Sequence, residues 1–105
     1  MTKAESKGGD MLDRLIARAV DLGADGLEIE YKDGREEVCA MKGNCGVGIA
    51  SLDSSSEEAH ALCQRIHKLR KKGSDVTVQG KTYRLRVNVY DSFGGEAYRI
   101  EIKVP

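Results

Sequence analysis

The chain has 105 residues, a size suited to a single domain. Apolar residues make up 40% of it and charged residues 32%, with seventeen bases against seventeen acids; no apolar run approaches a membrane span, and the balance does not favour a generally basic nucleic-acid binder. Three cysteines, an odd number, argue against a disulfide framework and for a reduced, cytoplasmic setting.

Residues 1–9 are polar and Gly-rich and read as a flexible tail, with residues 10–105 as one domain. Asp10 is placed to cap a helix over residues 11–22, whose apolar stripe is Leu12, Leu15, Ile16 and Ala19. Asp13, Arg14 and Arg18 fall off that stripe and face water. Gly23 supplies the left-handed stop. Next, Leu27, Ile29 and Tyr31 alternate with Glu28, Glu30 and Lys32, the period of a half-buried strand. Asp33-Gly34 predicts a tight hairpin turn into a strand over residues 37–41. Gly43-Asn44 marks a second turn. The strand after it, residues 47–52, begins among Gly46 and Gly48, which predicts a bulge or a close backbone approach.

A second round follows. Ser55 and Glu58 have the spacing of a capping box, opening a helix whose buried stripe is Ala59, Leu62, Cys63, Ile66 and Leu69. Arg70, Lys71 and Lys72 suit its negative end, and Gly73 closes it. Residues 76–78, a turn at Gln79-Gly80 and residues 83–90 form a hairpin. In the longer strand Tyr83, Leu85, Val87 and Val89 oppose Arg84, Arg86, Asn88 and Tyr90. A turn over residues 92–95 leads to residues 97–104, where Tyr98, Ile100, Ile102 and Val104 oppose Arg99, Glu101 and Lys103. The expected fold is therefore α+β: two helix–strand–strand–strand units, with both helices on one face of a single antiparallel sheet of about six strands. Residues 1–52 carry ten acids and seven bases, and residues 53–105 seven acids and ten bases. That polarity is able to orient a partner or a weakly associating second copy.

The run GADGLEIEYKDGREEVCAMKG is similar to the opening of a module found ahead of the nucleotide-binding core in ATPases of type II secretion and type IV pili. That module reads as a helix, GASDIHIEP, a strand ending near RIDG, a second helix, a segment ending LRVS, and a final strand. Gly23-Ala24, Ile29 and Glu30 match the first motif; Leu85-Arg86-Val87-Asn88 resembles LRVS; and Gly95-Glu96 with Tyr98-Arg99-Ile100 resembles the last strand. The arginines expected before the RIDG glycine are Cys39 and Met41 here, and Glu28 stands for the first motif's histidine. The resemblance implies a PAS-like shape and arginines that clamp a nucleotide held by the ATPase core. Arg86 falls on a matching position. Arg84 and Arg99 join it as candidate partner- or nucleotide-contacting residues. No segment reads GxxxxGK[ST], so the resemblance is to a stand-alone relative without the catalytic core.

Other chemistry reads as ordinary structure. Cys39, Cys45, His60, Cys63 and His67 are zinc-ligand types, but no C-x-x-C spacing joins them. Cys63 and His67 are one helical turn apart, yet no third group orients the histidine and Cys63 sits on an apolar stripe. Gly43, Gly46 and Gly48 precede no helix, so they do not form a phosphate cradle. Acidic Glu28, Glu30, Glu36 and Glu37 read as a guarded strand edge.

The expectation is a non-enzymatic protein-binding or regulatory module with no metal or cofactor, its partner a secretion- or pilus-type ATPase. The alternative is a small single-stranded nucleic-acid binder using Lys68, Arg70–Lys72, Lys81, Arg84 and Arg86 with Tyr90 for stacking. A PAS-like ligand-sensing domain comes third.

Overall fold

Leu12, Leu15, Ile16 and Ala19 form the buried face of α1 (Gly8–Asp21), the first element of a computed structural model that describes residues 8–92 and 95–104. The strands β1 (Gly26–Lys32), β2 (Arg35–Lys42) and β3 (Cys45–Asp53) follow it. The second round is α2 (Glu57–Lys72), β4 (Ser74–Val78), β5 (Lys81–Ser92) and β6 (Gly95–Lys103). All six strands join one antiparallel sheet in the order β3-β2-β1-β6-β5-β4. Each unit is thus a three-stranded meander. The two are sewn together between β1 and β6, where Leu27 pairs with Ile100 and Ile29 with Tyr98.

The hairpin turns form where the residue types demand them. Asp33 and Gly34 have φ of 51° and 81°, and Gln79 and Gly80 have 52° and 79°. Two consecutive positive φ values match the right-handed twist of the flanking strands. The expected irregularity in β3 is present: Val38 pairs with Ala50 but Cys39 with Gly48, leaving Ile49 as the extra residue of a bulge. What crowds Gly46 is a side chain rather than a backbone, since a Cβ there would lie 2.6 Å from the Met41 sulfur.

Both helices press on the same face of the sheet. Leu12 and Ile16 of α1, Leu62 and Ile66 of α2, and Leu27, Ile29 and Ile100 of the central strands are fully buried together. This face is apolar because alternate strand residues supply it, and the helices remove it from water. Arg65 of α2 lies 3.4 Å from Asp13 of α1, so Asp13 is not simply solvated as expected but meets the other helix.

Several boundaries differ from the sequence expectation. The first helix begins at Gly8, so Asp10 lies inside it and does not cap it; residues 1–7 of the expected tail are outside the described residues, as are residues 93 and 94 of the last turn. The second helix is capped one residue later than the Ser55–Glu58 box. Ser56 accepts a bond from the Ala59 amide at 3.1 Å, while Ser55 is held by Asp53 through its amide and hydroxyl. Alanine at the third helical position leaves no reciprocal side-chain bond, so this is a simple cap. Ser56→Ala is expected to cost about 1 kcal/mol of stability, and Ser55→Ala less, in paired denaturant titrations. Val104 lies past the end of β6 and is 66% exposed, so it leaves the expected apolar row.

Candidate functional site

The helices leave the other face of the sheet uncovered, and strand alternation sends the polar half of every strand there. Arg84 and Arg86 of β5 and Arg99 of β6 all stand on this outer face, so the fold brings the three candidate arginines together. Their surroundings differ. Arg84 pairs with Asp75 of β4 at 3.2 Å and keeps 65% of its side chain exposed. Arg99 lies 3.7 Å from Glu28 of β1 and donates to the Gly43 carbonyl at 3.0 Å, which ties the β2–β3 turn to the last strand. Arg86 is exposed and makes no ion pair among the described residues. Its register neighbour Glu101 is taken by Lys103 at 3.3 Å and by Asn88 at 3.5 Å. An exposed pair such as Arg84–Asp75 contributes little to stability, so both Arg84 and Arg86 are open to a partner. Arg99 is chiefly a brace.

Tyr90 was expected as a stacking aromatic beside the arginines. It stands on the same face, since it follows Arg84 and Arg86 at two-residue steps and its register partner Ala97 alternates with Arg99 and Glu101. Its ring is partly covered and its hydroxyl is engaged, bonding to Glu28 on β1. Burial first, and then this bond and the charge of Glu28, push the phenol up to about 12. Tyr90, Glu28, Arg99 and the Gly43 carbonyl therefore form one chain of contacts across the sheet. No local sequence signal could have found it, because β5, β6, β1 and the β2–β3 turn are neighbours only in the fold.

A second cluster gathers where α2 crosses the sheet. The Tyr98 hydroxyl lies 3.4 Å from the His67 ring nitrogen and 3.3 Å from Glu96, with the His67 and Tyr98 rings edge to face at 5.8 Å. The partner that the sequence did not offer His67 is thus Tyr98, from a distant strand. The cluster does not activate Cys63: burial, followed by the charge of Glu36, pushes that thiol up, which favours the unreactive protonated form. Tyr98 is also raised, to about 12, mainly by burial. In both tyrosines the folded state favours the neutral phenol. The stability this provides is complete below pH 10 and is lost as pH rises through about 12. Tyr90→Phe is therefore expected to remove one phenolate step near pH 12 from an ultraviolet titration of the native protein.

The zinc-ligand types are spread apart. Cys39 faces outward beside Glu28, and Cys45 stands opposite Lys42 on the other side of the sheet. Cys63 and His67 lie on α2. Among the described residues no group of three histidine, cysteine or acidic side chains is arranged to hold a metal ion. Nor is any helix among them long and apolar enough to cross a membrane.

No protein-family model matches the chain, and no curated protein matches it. Among solved structures, the chain is similar to part of the X-ray structure of the Legionella pneumophila ATPase DotB, with a TM-score of 0.53 and 18% identity. The match takes in 99% of this chain but only 31% of that one, so it is a likeness of fold between this whole domain and a fraction of an ATPase chain.

Proposed function

We propose that the chain is a non-enzymatic, cytoplasmic module that binds an ATPase of the secretion class, resembling the domain that precedes the nucleotide-binding core of those enzymes. One observation carries this: the domain as a whole, and not an isolated motif, is similar in fold to a minor part of an ATPase chain. The motif around Arg86 and the open outer face of β5 support the same reading. Arg86 is the contact residue, because its guanidinium has no internal ion pair to break among the described residues and five donors suited to a carboxylate or phosphate. Arg84 assists it after exchanging Asp75 for the partner.

Titration calorimetry against a secretion-ATPase core supplied as a separate protein tests this. Binding is expected, and Arg86→Ala should weaken it about tenfold, or about 1.4 kcal/mol. Absence of binding would count against the proposal. Tight, salt-sensitive binding of a single-stranded oligonucleotide, lost in Arg84→Ala/Arg86→Ala, would favour the nucleic-acid alternative in its place.

A further inference from the structure

The two ends of the sheet carry opposite charge. At one end β2 begins and β3 and β1 finish, and α2 starts directly above them. Ser54 joins these elements, its amide bonding the Gly34 carbonyl and its hydroxyl the Glu36 carboxylate at 2.9 Å. Glu36, Asp53, Glu57, Glu58 and, from the start of β6, Glu96 cluster here. At the opposite end α2 finishes in Arg70, Lys71 and Lys72, and Gly73 leads into β4. There Lys81 and Arg84 of β5 stand beside Lys103, the register partner of Arg84. Along β6 alone, Glu96 and Lys103 are seven residue steps apart, about 24 Å.

Part of this pattern has a simple cause. Acids in the first turn of α2 and bases in its last turn complement the helix dipole. The strands have no such cause, because strand dipoles alternate and nearly cancel in an antiparallel sheet. Yet Glu36, Asp53 and Glu96 repeat the sign of the helix start, while Lys81, Arg84 and Lys103 repeat that of its end. Each end also holds a minority of opposite charge: Lys32 and Arg35 at the acidic end, and Asp21, Asp25 and Asp75 at the basic end. Arg35 is hydrogen-bonded to Ser51 at 2.7 and 3.1 Å, Asp75 is paired with Arg84, and Asp21 accepts from Gln79 at 3.3 Å. Arg70, Lys71 and Lys72 make no ion pair among the described residues.

We infer that these poles form a head-to-tail contact between copies of this chain, the acidic end of one against the α2 and β5 basic end of the next. Charge complementarity selects this occupant. The net charge is zero, so two copies have no overall repulsion to overcome. A two-fold contact through either pole would set the majority charge of that end against itself, whereas the head-to-tail arrangement sets the acidic majority of one end against the basic majority of the other. Such a contact is heterologous and propagates into a ring or a short filament.

Sedimentation velocity of the full chain tests the inference without any ATPase, so its outcome is separate from that of the proposed function. Reversible association is expected at low salt. It should weaken about tenfold as ionic strength rises from about 0.01 to about 0.15 M, where the screening length falls from about 30 Å to about 8 Å. Glu57→Lys/Glu58→Lys and Lys71→Glu/Lys72→Glu should each be monomeric alone, yet associate when mixed, since each retains one native pole. Glu57→Gln/Glu58→Gln serves if the reversal at the helix start disturbs folding, as judged by circular dichroism. A chain that stays monomeric at low salt, association insensitive to salt, or charge-reversed variants that each still self-associate would overturn the inference.

Discussion

Leu85→Ala is expected to lower the free energy of unfolding by about 2–5 kcal/mol. Leu85 is 2% exposed and sits in β5 between Ser74 of β4 and Ile102 of β6, on the face packed by α2. Truncation removes its share of buried apolar surface and leaves a hollow that neighbours on a hydrogen-bonded sheet cannot fill by moving. Single domains are typically stable by about 5–15 kcal/mol, so the loss is a large fraction of the whole. The measurement is a urea titration, where the midpoint should fall while the slope stays the same. An unchanged midpoint would mean that helix and sheet do not pack around this side chain.

The second large effect concerns ATP. Phosphoryl transfer needs a loop around the phosphates, a metal held near them, and a group that positions water. The sequence has no GxxxxGK[ST] segment, and the proposal assigns this chain only a contact made from outside. The purified chain is therefore expected to show no ATP turnover above the buffer rate. Added to a secretion-ATPase core, it should change that enzyme's rate, and Arg86→Ala should abolish most of the change. Arg99→Ala is a poorer test. It also frees Glu28 and the Gly43 carbonyl, so it disturbs the β2–β3 turn. Turnover by the chain alone, removed by one substitution within it, would place the protein in a different class.

Most of the fold was legible because its signals are local. Alternation in β1, β5 and β6, the stripes of both helices and the Asp33-Gly34 and Gln79-Gly80 turns each depend on a few adjacent residues. Strand ends were read short, since β2 and β5 begin at Arg35 and Lys81, and a charged terminal residue shows no buried alternation. Among three serines in a row the Ser55–Glu58 spacing pointed to the wrong one, and the hydrogen bond from the Ala59 amide puts the cap of α2 at Ser56. The arginines were legible as candidates, but not their unequal availability. That depends on Glu28, Asp75 and Gly43, which come near them only once six strands are ordered.

The seam between β1 and β6 makes assembly of this domain late. Leu27 and Ile29 are the inner residues of a strand whose second neighbour is made only after everything from β2 to β5. Until then the first meander presents an open edge at β1, next to its most apolar residues, and such an edge invites pairing with another chain. Closure across so much intervening sequence is also the slow kind of contact to form. The same geometry offers a remedy, because a strand with the sequence of β6 supplied in trans would satisfy that edge. The first three strands with α1, produced without the rest, should consequently aggregate alone and be rescued by the complementary piece, which makes the domain a candidate for a split reporter whose signal depends on joining its halves.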